Sequence, residues 1–257
     1  MVLGAIQGLT EFLPVSSSAH LALAHWLFGW RVPGELELAF DVVLHAGTLV
    51  ALLVYFRKDW VAMIAEPAQR RFVGLVLLAC VPGGVAGLLL EQKAGSAFRD
   101  PLQIAVLLAL MGVLMGVADC VCARKRLIEA TTLIDALWIG GSQALALMPG
   151  VSRSGITITA GRMRGFTREA AARFSFLLSM PIIAGATLWK GRHFGELTAA
   201  GVGLPLLAGV LTSAVFGYLA IDLLMRFLQR HSLLPFAVYR IVLAMLVVGV
   251  YLVRGGQ

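Results

Sequence analysis

Two apolar runs decide what this chain can fold into. Leu234–Val253 carries one charge, Arg240, and Gln103–Val117 carries none. A helix rises 1.5 Å per residue, so about 20 apolar residues cover a bilayer core of roughly 30 Å. Too many such runs occur in one chain for a soluble protein with buried helices. Charged residues make up 14% of the chain, against about 25% in an ordinary soluble domain. The reading is an all-α polytopic membrane protein, a single membrane domain over residues 1–257. It has six transmembrane helices, at about 40–56, 73–90, 102–121, 170–189, 197–225 and 234–253. No removable signal peptide is expected, because no basic segment or small-residue cleavage site precedes Gly4-Ala5-Ile6. Cys80, Cys120 and Cys122 form no zinc-type pair and read as apolar packing residues.

Two further stretches are apolar but broken. Residues 1–29 are interrupted by Pro14, and residues 133–160 by Pro149-Gly150, each break followed at once by serines. Proline removes a backbone donor and glycine loosens the chain, so neither stretch is one continuous helix. Both are expected to be re-entrant helix pairs. A shift of about 136 residues places Gly4 on Gly140, Gln7 on Gln143, and Val15-Ser16-Ser17-Ser18 on Val151-Ser152-Arg153-Ser154. Three spans follow each break, the pattern of an inverted-topology repeat with halves of about 1–126 and 133–257. The two breaks would then enter from opposite faces and meet near the middle.

Charge orients the chain. One face, A, would hold Arg57, Lys58, Arg70, Arg71, Arg124, Lys125 and Arg126, and with them Arg162, Arg164, Arg168, Arg226 and Arg230. The other, B, would hold Arg31, Lys93, Arg99, Lys190, Arg192 and Arg254. Face A is therefore read as cytoplasmic. The net charge of +7 belongs to these loops and implies no nucleic acid partner.

The densest polar cluster within apolar sequence runs from Gln7 to His20; the second runs from Pro149 to Thr157. Ionisable groups at membrane depth cost about 2.5–3.5 kcal/mol each to insert, so they mark function. Gln7 and Glu11 are four residues apart and share a helical face. Together they could hold Mg²⁺ or Ca²⁺ alongside phosphate oxygens; a glutamate hydrogen-bonded to a neighbouring helix is the alternative. The serines after each break read as helix N-caps, whose free N–H groups and positive dipole end attract phosphate. For Ser16 and Ser154 ordinary capping is the plainer reading. Arg153, between two serines in an apolar setting, needs an anionic partner, and its fork suits phosphate. His20 lies one turn after Ser17 and could take its proton or give one to a leaving oxygen. Asp41 and His45 form a second polar pair, which either orients the site from outside it or leaves Asp41 simply at the membrane interface.

These residues resemble the bacterial undecaprenyl-diphosphate phosphatase family, also called the bacitracin-resistance protein family. The resemblance rests on an (E/Q)xxxE segment, here Gln7 to Glu11, leading into Pro14-Val15-Ser16-Ser17-Ser18-Ala19-His20, and on PGxSRSxxT, here Pro149 to Thr157. It covers essentially the whole chain. Many members carry glutamate where this chain has Gln7, which leaves one fewer anionic metal ligand here. The resemblance implies hydrolysis of undecaprenyl diphosphate to the monophosphate carrier used for envelope polymers. It implies a multi-pass protein of the bacterial inner membrane with its site open to the periplasm. In this reading Ser17, His20, Glu11 and Arg153 are catalytic. Gln7, Ser16, Ser18, Ser152, Ser154 and Thr157 bind substrate, and Glu11 with Gln7 holds a divalent cation. The partners are a prenyl diphosphate lipid and membrane lipid, and a homodimer is compatible with the sequence. The rival reading is a secondary transporter or flippase for a prenyl-phosphate lipid, because inverted repeats and broken helices are also transporter architecture.

Overall fold

The computed structural model of the chain describes residues 1–29, 36–97, 100–122, 125–191 and 203–255. Arg31, Arg99, Arg124 and Arg192 of the charge argument lie outside the described residues, as do the side chains of Lys93 and Lys190 and the start of the span read at 197–225. Every named element among the described residues is helical, which is what lipid demands of a backbone that must satisfy its own hydrogen bonds. In chain order they are α1 (Val2–Phe12), α2 (Ser17–Phe28), α3 (Leu36–Tyr55), α4 (Arg57–Ala65), α5 (Arg70–Ala97), α6 (Pro101–Val121), α7 (Leu133–Ser142), α8 (Arg153–Met163), α9 (Arg168–Gly191), α10 (Gly203–Leu228) and α11 (Leu234–Val253), with short 3₁₀ turns between some of them.

Five stretches, carried by α5, α6, α9, α10 and α11, are long and apolar enough to cross a membrane. The sixth expected span is α3. Its 20 residues would reach about 30 Å, although its described apolar part is only Val43–Tyr55. The two broken stretches fold as expected from their proline and glycine. α1 ends at Phe12 and α2 starts at Ser17; α7 passes through a 3₁₀ turn at Gln143–Leu147 before α8 starts at Arg153.

Small residues let the half-helices sit directly on spans. A Cβ on Gly4 of α1 would lie 2.2 Å from the Gly209 carbonyl oxygen of α10. A Cβ on Gly140 of α7 would lie 2.4 Å from the Ala79 carbonyl oxygen of α5. Gly4 and Gly140 are the pair that the 136-residue shift superimposes. Without a hydrophobic drive between helices in lipid, such backbone-to-backbone approach supplies much of the packing. Gly140→Ala is therefore expected to force α7 off α5 and to destabilise the protein by about 1–3 kcal/mol. An unchanged thermal midpoint of the purified variant would show that the contact is not needed.

Two carboxylates knit the end of the bundle where α6 finishes. Asp119 accepts from Arg168 at 2.7 Å, Arg162 at 3.1 Å and the Leu233 amide at 3.0 Å. Asp135 accepts from Arg126 at 2.5 Å and Arg164 at 2.6 Å, and closes a capping box with Thr132. This corrects the charge argument for Arg162, which was counted as a loop charge. Its side chain is fully buried and also donates to the Phe166 and Cys122 carbonyls. A guanidinium so deep is affordable because its donors are satisfied. Cys120 departs from its packing role as well, being exposed.

Candidate active site

The two breaks touch. The first residue of each serine turn, Ser16 and Ser152, has a left-handed backbone, with φ of 79° and 72°. A side chain in that region costs of order 1–3 kcal/mol, tolerated where the surroundings fix it. Each serine caps its helix: Ser16 Oγ accepts from the Ala19 amide at 3.4 Å, and Ser152 Oγ from the Gly155 amide at 3.1 Å. Ser16 Oγ also accepts from the Gly150 amide of the opposite break at 3.2 Å. Ser154 Oγ donates back to the Glu11 carbonyl at 3.0 Å.

Arg240, the lone charge of its span, holds the junction. It is fully buried and donates to four backbone carbonyls. These are Pro14 at 3.1 Å in one break, Gly150 at 2.5 Å and Val151 at 3.0 Å in the other, and Leu108 at 3.3 Å on α6. A proline or a chain reversal leaves carbonyls without helical partners, and one planar guanidinium serves both breaks. Nothing in the local sequence assigns Arg240 this role. Its signal was the single charge in a span of otherwise apolar residues.

Glu11 is the centre of the site. One carboxylate oxygen is ion-paired to Arg153 across the junction. The other accepts from Ser17 Oγ at 2.6 Å and Gln7 Nε2 at 3.0 Å, and lies 3.3 Å from His45 Nε2. The carboxylate is nearly buried, with Arg153 and Ser17 partly exposed around it. His45 is thus in direct contact with the carboxylate rather than outside the site. Its other nitrogen, Nδ1, faces the Asp41 carbonyl at 3.0 Å. With an acceptor at each ring nitrogen, His45 suits the doubly protonated form. Asp41 stays outside, its carboxylate 3.3 Å from His25.

The expected Ser17–His20 contact is not formed. Ser17 turns its hydroxyl to Glu11, and both ring nitrogens of His20 are engaged elsewhere. Nδ1 lies 2.7 Å from the Ser16 carbonyl and Nε2 lies 2.8 Å from the Tyr239 hydroxyl. The physical reason is that the Ser16 carbonyl, as the N-cap carbonyl, already accepts from the His20 amide at 3.2 Å, and the imidazole folds back onto the same oxygen. Several residues expected to bind substrate have hydroxyls engaged by the framework: Ser16, Ser152 and Ser154 as above, and Thr157, which is buried and bonded to the Arg153 carbonyl at 2.7 Å and Ser175 at 2.6 Å. Ser18 is exposed and bonds only weakly to Ser16, at 3.2 Å.

For the divalent cation, the donor set is thin but of the right kind. Gln7 Oε1 is buried and has no hydrogen-bond partner, one turn from the Glu11 carboxylate. Among the described residues no group of three or more His, Cys, Asp or Glu is placed to hold a metal ion. A hard cation would therefore need oxygens from a substrate to complete its shell. A cavity of about 590 Å³ opens beside α4, between Lys58, Arg71 and Arg173, and no residue of either break lines it. The chemistry-bearing groups converge at the junction, not there.

Comparison with known proteins points to one family. A family profile described as bacitracin resistance protein BacA matches residues 1–246. The chain is 48% identical over 260 residues to a protein named undecaprenyl-diphosphatase from Moorella thermoacetica, covering 99% of this chain and 97% of the relative. It is 48% identical over 265 residues to one from Pelobacter propionicus, covering 98% and 96%. It is 49% identical over 258 residues to one from Gemmatimonas aurantiaca, covering 96% and 95%.

Proposed function

The chain belongs to the bacitracin resistance protein BacA family, and on that footing we propose that it hydrolyses undecaprenyl diphosphate to the monophosphate at the junction of its two breaks. The observation that carries the mechanism is the Glu11–Arg153 ion pair. The guanidinium from the second break is held by the carboxylate of the first. A diphosphate offers Arg153 more oxygens in the geometry its fork prefers, and its transfer to phosphate frees the Glu11 oxygen. The amides at the start of α2 and α8 add positive potential from the two sides. Phosphoryl transfer asks chiefly for such positioning and charge neutralisation.

Ser17 is the nucleophile or the group that positions water. Its hydroxyl donates to Glu11 at 2.6 Å, so Glu11 rather than His20 is the base within reach. His20, one turn along α2, exchanges a proton with the phosphate oxygens. Gln7 and Glu11 would hold a divalent cation together with diphosphate oxygens, and such a cation would neutralise phosphate charge. The apolar groove between α3 and α10, lined by Val50, Val54, Val215 and Leu219, suits a prenyl chain. The site lies in the bacterial inner membrane and opens to the periplasm. The support for this sidedness is the charge bias of the sequence, which assigns Arg57, Lys58, Arg70, Arg71, Lys125 and Arg126 to loops of one face, A, read as cytoplasmic.

Purified protein in detergent, with no membrane gradient, is expected to release one inorganic phosphate per undecaprenyl diphosphate. A transporter would release none. EDTA should stop the release and Mg²⁺ or Ca²⁺ restore it. Gln7→Glu replaces the amide that donates to Glu11 by a second carboxylate at about the same place. The like charges should share a proton or a cation, so the variant should need less added metal for half-maximal rate. Full activity after exhaustive chelation would remove the cation from the mechanism.

A further inference from the structure

We propose that Tyr239 is a positioning residue of this site, holding the proton-exchanging nitrogen of His20 through its hydroxyl. The proposal rests on the reading above that His20 exchanges a proton with phosphate. Its geometry is independent of that reading.

The tautomer follows from the partners. The Ser16 carbonyl 2.7 Å from Nδ1 can only accept, so Nδ1 carries the hydrogen and the lone pair of the neutral ring is on Nε2. Nε2 faces the Tyr239 hydroxyl at 2.8 Å, which must then donate to it. When Nε2 is protonated, the same hydroxyl oxygen accepts instead. Tyr239 therefore keeps the ring in one orientation in both protonation states. The two rings are parallel, 6° between planes and 5.8 Å between centroids, which restrains rotation of the imidazole as well.

Both anchors of the ring are themselves fixed. Ser16 is fully buried and tied to the Gly150 amide of the opposite break. Tyr239 adjoins Arg240 on α11. Successive helical residues point about 100° apart. Arg240 points inward to the carbonyls of both breaks, while Tyr239 lies at the margin, 46% exposed. One helix thus holds the backbone of the junction with one residue and the imidazole with the next. A phosphate oxygen that approaches Nε2 shares its hydrogen with the Tyr239 hydroxyl, so the ring stays aimed and in one tautomer while the proton moves. Such pre-orientation acts on the chemical step rather than on binding.

The test uses Tyr239→Phe, His20→Gln and the double variant, purified in detergent and assayed for phosphate release from undecaprenyl diphosphate. Tyr239→Phe keeps the ring and removes only the hydroxyl. It is expected to lower kcat on the order of tenfold and to leave KM within about twofold, because orientation is lost and binding is not. In the His20→Gln background the same change is expected to have no further effect, since a residue acting through His20 has nothing left to position. Wild-type turnover of Tyr239→Phe beside an impaired His20→Gln would overturn the Tyr239 proposal alone, as would multiplicative losses in the double variant. Wild-type turnover of His20→Gln would overturn the proton role of His20 and this proposal with it.

Discussion

Arg153→Ala should lower kcat/KM by about 10³-fold or more, the scale on which a single arginine contributes to phosphoryl transfer. The loss has two sources. The diphosphate loses its only guanidinium reaching from the second break, and Glu11 loses the guanidinium paired with one of its oxygens. Arg153→Lys should fall between wild type and alanine, since an ammonium is a point charge and cannot grip two oxygens at once. The alanine variant should also be less stable, because a nearly buried carboxylate is left with Ser17, Gln7 and His45 alone. Adding Glu11→Gln should restore stability without restoring turnover. Near wild-type activity of folded Arg153→Ala would remove Arg153 from the site.

Arg240→Met should have the largest effect on stability. Methionine fills the path of the aliphatic stem and loses every donor, so the carbonyls of Pro14, Gly150, Val151 and Leu108 are left buried without that partner. Buried groups stripped of a charged partner cost roughly 3–5 kcal/mol, which for a chain of this size is a fall in thermal midpoint of roughly 10 °C. Activity should fall as well, because both serine turns hang on those carbonyls. Arg240→Lys should recover little, since one ammonium cannot reach both breaks. A midpoint and turnover close to wild type in Arg240→Met would mean that the junction is held by its serines and glycines alone.

Much of this was legible in the sequence, for reasons that are local. Pro14 and Pro149-Gly150 announce the breaks because their effect on a helix needs no tertiary context. The 136-residue shift that pairs Gly4 with Gly140 and Ser16 with Ser152 makes contact between the breaks an expectation, and with it the meeting of Glu11 and Arg153. What stayed hidden depends on which way side chains turn. Ser17 and His20 share a helical face, but the Ser16 N-cap carbonyl takes the imidazole and Glu11 takes the serine. His45, midway along α3, shows nothing in the local sequence that brings it to Glu11. Arg162 read as one more loop charge, because nothing local shows that Asp119, on another helix, waits for it. Arg240 and Tyr239 were hidden in plain apolar sequence: their partners lie more than 80 residues away in the chain.

The central claim is that the Glu11–Arg153 ion pair marks the diphosphate site, where diphosphate competes with Glu11 for Arg153. Binding of a non-hydrolysable methylene-diphosphonate analogue of the prenyl diphosphate, measured in chelator so that no cation intervenes, tests it directly. Glu11→Gln releases Arg153 from its carboxylate, so it should bind the analogue more tightly than wild type while losing turnover. Arg153→Ala should bind it far more weakly. If Glu11→Gln instead lost binding as Arg153→Ala does, the ion pair would be a structural link between the halves, and the diphosphate would have to be gripped elsewhere.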